Sequence, residues 1–260
     1  MADLPPNQFK HRLAAGETLL GLWVALADTI AAEIAAGAGF DWLVVDGEHA
    51  PNDLRTTLHQ LQALAAYDAE PVVRPVIGDA AGLKQLCDIG TRTFLVPMVE
   101  SADQARDLVA AISYPPAGYR GMGTGLARAA RWNRIEGYAA KANDEMCLLV
   151  QIETQAGLDA LDDIVAVDGV DGVFIGPSDL SASTGYPGRA NDPEVVAMVG
   201  DAIERIAEHK PAGVLAADLD IATEYRNRGA RFIAVGSDTG LLARATDHLH
   251  SDATHRLVID

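Results

Sequence analysis

The chain has 260 residues, a hydrophobic fraction of 49% and a formal net charge of -17. That acidity disfavours nucleic acid and anionic membrane as partners, and no apolar run approaches the roughly 18 residues that suggest a membrane span. The opening Met1-Ala2-Asp3-Leu4-Pro5-Pro6 lacks the basic and apolar regions of a signal peptide, and Cys87 and Cys147 stand in no metal or redox spacing, as expected of a cytoplasmic chain with reduced thiols.

No linker or low-complexity block divides the sequence, so residues 1–260 are expected to form one domain. Strand-like and helical stretches alternate about eight times, the pattern of a closed parallel (β/α)8 TIM barrel. The strands fall near Leu19-Val24, Trp42-Val45, Val72-Val76, Phe94-Met98, Leu148-Ile152, Val173-Ile175, Gly213-Ala216 and Phe232-Val235. Helices begin near Thr29, Asp53, Asp79, Ser101, Gln155, Asp192, Asp220 and Asp238, mostly on residues suited to N-caps. A doubly wound open sheet is the alternative, but no Gly-x-Gly-x-x-Gly follows the first strand. One interruption, Ser113 to Arg134, is rich in Pro, Gly and Arg. Inserted after strand four, it is expected over the barrel mouth or in a subunit contact.

In such a barrel the reactive face lies where the strands end. Those positions carry Trp23 after strand one, then Asp46, Glu48 and His49, then Arg74, Gln151 and Glu153, and finally Ser178 and Asp179. Gln151 and Glu153 are two positions apart and share one face of their strand. If the fifth and sixth strands are neighbours, Glu153 and Asp179 approach each other and can bind Mg²⁺ or Mn²⁺ through hard oxygen ligands. Alone, each residue reads as a cap of the segment that follows. Asp46 can accept a hydrogen bond from one nitrogen of His49, leaving the other as a base. Arg74 interrupts an apolar strand and needs an anion. It either pairs with Asp46 or Glu48 or holds an oxyanion that develops during reaction. Gln151 either orients a substrate carboxylate or fills the interior, and Trp23 and Leu215 are apolar walls or plain core. No lysine ends a strand, which argues against Schiff-base chemistry. Arg120, Arg128, Arg131 and Arg134 either recognise a second anionic group or join subunits, with the second preferred. Gly236-Ser237 has the form of a phosphate cradle.

These residues occur in motifs that, taken together, are specific: Asp46-Gly47-Glu48-His49-Ala50-Pro51, Pro71-Val72-Val73-Arg74-Pro75, Val96-Pro97-Met98-Val99, Gln151-Ile152-Glu153-Thr154 and Phe174-Ile175-Gly176-Pro177-Ser178-Asp179-Leu180-Ser181. Over nearly its whole length the chain resembles the metal-dependent (class II) pyruvate aldolases typified by 4-hydroxy-2-oxoheptanedioate aldolase and 2-dehydro-3-deoxyglucarate aldolase. The resemblance implies a lyase that reversibly cleaves 4-hydroxy-2-oxo acids to pyruvate and an aldehyde through a metal-stabilised enolate, without an organic cofactor. It implies Glu153 and Asp179 as ligands of Mg²⁺ or Mn²⁺, with Co²⁺ also possible, and Gln151 with the Ser178-Asp179 backbone as the carboxylate site. Arg74 would stabilise the oxyanion, His49 oriented by Asp46 would move protons, and Trp23 and Leu215 would shape the aldehyde side. It also implies a hexamer with the last helix packed on a neighbour, in which Asp88 could act only across an interface. Ser178 departs from the alanine common in that family. The competing readings are a related barrel lyase acting on a coenzyme A thioester, a glycosidase using the Glu153–Asp179 pair, and a non-enzymatic scaffold.

Overall fold

The computed structural model describes residues 3–258. Eight parallel strands close in sequence order into a barrel. They are β1 (Leu19–Val24), β2 (Trp42–Asp46), β3 (Glu70–Arg74), β4 (Thr93–Val96), β5 (Cys147–Ile152), β6 (Gly172–Ile175), β7 (Ala212–Leu215) and β8 (Ala230–Ser237). β3 starts and ends about two residues earlier than the apolar pattern suggests, because Glu70 and Arg74 both face inward and are paired there. Helices cover the outside. Asp28 caps α2 (Thr29–Gly37), Asp53 caps α3 (Leu54–Leu64), Asp79 caps α4 (Ala80–Ile89) and Ser101 caps α5 (Ala102–Ile112), each accepting from backbone N–H groups of the first turn. Asp218, rather than Asp220, caps the helix after β7. No helix among the described residues is long and apolar enough to cross a membrane.

The barrel interior is an aromatic layer made to fit by glycines. Trp23, Trp42, Phe174 and Phe232 meet with ring centroids 5.6–6.3 Å apart. A Cβ on Gly21 would lie 2.2 Å from the Trp42 ring, and one on Gly213 would lie 2.2 Å from Phe232. Below this layer α1 (Gln8–Ala14), a helix absent from the sequence reading, closes the amino-terminal end with Phe9 and Leu13. Its cap Asn7 donates to Thr93 Oγ1 (2.8 Å), which donates to Glu70 Oε1 (2.9 Å), while Arg92 clamps both Glu70 oxygens. The interior of the barrel is thereby closed at this end, and polar groups facing inward at the other strand ends open onto the mouth.

The Ser113 to Arg134 insertion does not cover the mouth. It follows α5, so the chain has already returned to the amino-terminal end of the barrel, where Ala129 N–H bonds the Asp88 carbonyl (3.1 Å) near the end of α4 and Arg128 reaches the Ile89 carbonyl (2.9 Å). Of its arginines, Arg120 is fully buried over the Tyr114 ring and donates to Asp88 (3.2 Å).

Gly21→Ala is expected to lower stability by roughly 1–3 kcal/mol or more through overpacking against Trp42. Gly37→Ala at the end of α2, where a Cβ meets nothing within 4 Å, should be neutral or gain up to about 1 kcal/mol. Urea unfolding of the two variants checks both.

Candidate active site

Strand parity brings the polar residues together. Asp46 and Arg74 are direct partners in the β2–β3 register. Arg74 Nε and Nη2 each donate to one Asp46 oxygen at 2.8 Å, a bidentate pair in which both side chains are buried. Arg74 Nη1 also lies 2.8 Å from Glu48 Oε2, and its guanidinium carbon sits 5.4 Å from the centre of the Trp23 ring. The sequence had left Asp46 and Glu48 as alternative partners of Arg74; the structure uses both. Gly47 makes this possible, because its N–H bonds the Arg74 carbonyl (2.8 Å) and a Cβ there would meet the same oxygen at 2.8 Å.

The expected Asp46–His49 ring contact is replaced by another. Asp46 is occupied by Arg74 and reaches His49 only through the backbone N–H (3.4 Å). The imidazole points outward, its side chain 64% exposed, with Nε2 3.8 Å from Glu48 Oε2. Asp46 therefore positions the His49 backbone, and Glu48 is the carboxylate beside the ring. Burial pushes the Glu48 carboxyl up, opposed by Arg74 and His49 and assisted by Asp46 and Asp179.

At the end of β5, Gln151 and Glu153 face the same interior, 2% and 1% exposed. The Gln151 amide donates to Glu153 Oε2, and Met98 N–H donates to Oε1 at 2.9 Å. Met98 holds a left-handed φ of 56°, uncommon for a residue with a side chain. Gly176 leaves the space for the carboxylate, since a Cβ there would lie 2.6 Å from Glu153 Oε2. Thr154, not Glu153, caps the next helix, accepting from Gly157 N–H (3.1 Å). Burial pushes Glu153 up to about 6, with the charges of Glu48 and Asp179 adding to the effect. Asp179 and Ser178 are exposed in the first turn of α6 (Pro177–Ser183), beyond β6. Leu215 ends β7, half-buried beside the aromatic layer that holds Trp23. The Met98 N–H, the place of Glu48 beside the His49 ring and the space left by Gly176 are not foreseen from the sequence. The glycine before Pro177 was a visible signal, whereas nothing local announces the Met98 backbone.

Among the described residues, no group of three or more His, Cys, Asp or Glu side chains converges into a metal cage. The residues present nevertheless fit a divalent cation whose remaining ligands come from substrate and water. Glu153 and Asp179 offer hard oxygens, their charges repel one another, and the buried Gln151 Oε1 has no hydrogen-bond partner among the described residues. The lysines lie in helices or before β7, none at this rim. The Gly236-Ser237 cradle is filled by the chain itself: Ser237 accepts from Gly240 N–H (3.1 Å), and Asp238 accepts from Ala25, Leu26 and Thr239 N–H groups.

Residues 19–245 match the model of the HpcH/HpaI aldolase/citrate lyase family. The chain belongs to that family and is a lyase of the aldolase type. It is 58% identical over 248 residues to a hydroxypyruvate/pyruvate aldolase of Pseudomonas aeruginosa, covering 95% of this chain and 92% of the relative. It is 56% identical over 244 residues to a 4-hydroxy-2-oxo-heptane-1,7-dioate aldolase of Escherichia coli, covering 94% and 93%. An HpcH/HpaI aldolase/citrate lyase family protein from Burkholderia cenocepacia superposes with a TM-score of 0.89 at 37% identity, covering 95% of this chain and 99% of that one.

Because the folded protein holds the Glu153 proton more tightly than the unfolded chain does, the stability of the cation-free protein should fall as pH rises from 4.5 to about 6, then level off. Glu153→Gln should therefore gain on the order of 1–2 kcal/mol at pH 8 and less at pH 4.5 in urea titrations; an equal effect at both pH values contradicts the assignment. Arg74→Ala strands Asp46 without its cation and should cost about 3–5 kcal/mol by the same measurement.

Proposed function

We propose that the protein reversibly cleaves 4-hydroxy-2-oxo acids to pyruvate, or a close 2-oxo acid such as hydroxypyruvate, and an aldehyde. The observation that carries this reading is the desolvated Glu153 carboxylate at the strand-end rim, within electrostatic reach of Asp179 and Glu48 and on the same barrel face as the Arg74 guanidinium. The names of the relatives support the same chemistry.

Glu153 and Asp179 would hold a divalent cation, Mg²⁺ or Mn²⁺ by the preference of oxygen ligands, with Co²⁺ also tolerated. Such an ion supplies Lewis-acid polarisation of the keto group. Gln151 and the backbone at Ser178 and Asp179 orient the substrate carboxylate. The His49 imidazole takes the proton of the 4-hydroxyl as the bond between carbons 3 and 4 breaks. The released electron pair moves into the keto group, and carbon 3 then takes a proton to give the 2-oxo acid. Arg74, held rigid by Asp46 and Glu48, faces the negative charge that develops on oxygen. Trp23 and Leu215 wall the pocket on the aldehyde side. A coenzyme A thioester substrate would need a basic groove at the mouth, and the arginine-rich insertion lies at the other end of the barrel.

The protein works in this account as a cytoplasmic homo-oligomer, with a hexamer expected. The last helix, α7 (Asp238–Leu257), exposes Leu241, Leu242, Leu249 and Leu257 and supplies an apolar face for a neighbouring subunit. Pyruvate release from a 4-hydroxy-2-oxo acid, coupled to its reduction, tests the proposal. Exhaustive chelation should abolish turnover and added Mg²⁺ or Mn²⁺ should restore it. Glu153→Ala should be inactive even at saturating cation, and His49→Asn should lower kcat by about 10²–10⁴. Turnover that survives chelation overturns the proposal.

A further inference from the structure

At the end of the barrel away from the candidate active site, a cleft of about 410 Å³ opens under the starts of β3, β4 and β5. That size lies within the roughly 300–1,000 Å³ of small-molecule sites. Leu61, Leu64, Tyr67 and Ile135 contribute apolar wall, and Arg128 and Arg131 stand side by side on its rim. Arg128 donates to the carbonyls of Ile89 (2.9 Å) and Leu61 (3.3 Å), which fixes the guanidinium while leaving it further N–H donors. Neither arginine has a carboxylate within 4.0 Å among the described residues. The acids nearby are otherwise engaged: Glu70 is clamped by Arg92 and bonded by Thr93, and Glu145 accepts from Asn7 N–H. Asp68 lies exposed on the rim.

The backbone of the rim is constrained as well. Arg131, Trp132 and Asn133 all hold left-handed φ values of 48–62°, a conformation that costs roughly 1–3 kcal/mol per residue and that clusters at ligand clamps. Gly90 fits the same arrangement, because a Cβ there would lie 2.5 Å from Arg128 Nη1. Burial lowers the pKa of Arg128, and the Arg131 charge lowers it further.

We propose that this cleft binds a small organic carboxylate, its charge on Arg128 and Arg131 and its apolar body against Leu61, Leu64 and Tyr67. The site lies at the end of the barrel opposite the rim that carries Glu153 and Arg74. The test is calorimetric titration of the full-length protein with 4-bromobenzoate, in saturating pyruvate and Mg²⁺ to fill the rim site, together with bromine anomalous diffraction from a soaked crystal. The expected result is bromine in the cleft, no binding of 4-bromobenzyl alcohol, and affinity weakened tenfold or more by Arg131→Gln with an unchanged melting temperature. No binding, bromine located elsewhere, equal binding of the alcohol, or less than tenfold weakening by Arg131→Gln overturns the proposal.

Discussion

A carboxylate taken almost wholly out of water is the constraint around which the mouth of this barrel is built. Glu153 is 1% exposed and has two N–H partners, the Gln151 amide and the Met98 backbone. Its environment adds the like charges of Glu48 and Asp179 rather than a cation of its own. An arrangement of this kind is costly in the empty protein and becomes favourable when a positive ion arrives. The surroundings are shaped to keep it: Gly176 gives up a side chain, and Met98 accepts a left-handed backbone so that its N–H can point inward.

Arg74 has the complementary role. Its charge is matched by Asp46 on both oxygens and approached by Glu48, so it is fixed in direction before any substrate arrives. Rigid cations of this kind stabilise developing charge without reorganising during reaction. Trp23 supports the guanidinium from below and belongs to the aromatic layer that closes the barrel interior. The packing that stabilises the fold is therefore continuous with the group that would face the reaction.

Much of this was legible in the sequence because strand parity is strict. Asp46, Arg74, Gln151 and Glu153 each sit at a strand end with an inward phase, and alternation alone assigns them to one face. What was not legible depended on contacts between strands distant in sequence. Asp46 had two basic neighbours to choose from, and the β2–β3 register gives it to Arg74, which turns the His49 ring toward Glu48. The helix α1 was missed because its seven residues carry only Phe9 and Leu13 as buried positions, too short a run for a period to show. Of the two places expected for the insertion, the barrel mouth is ruled out for a topological reason: α5 intervenes after β4, and a chain that has traversed a helix emerges at the opposite end of the barrel. Glu153 as a helix cap, a fair reading of the residue alone, gives way to Thr154 one position later.

In the proposed mechanism Glu153 and Asp179, separated by two short helices and a strand, share one cation together with a 2-oxo acid. The most direct measurement is Mn²⁺ titration followed by electron paramagnetic resonance, with and without pyruvate, in the native protein, Glu153→Gln and Asp179→Asn. The account predicts one tight Mn²⁺ site per chain, strengthened by pyruvate and weakened in both variants. Mn²⁺ binding that is indifferent to pyruvate, or that survives the loss of either carboxylate, would contradict it.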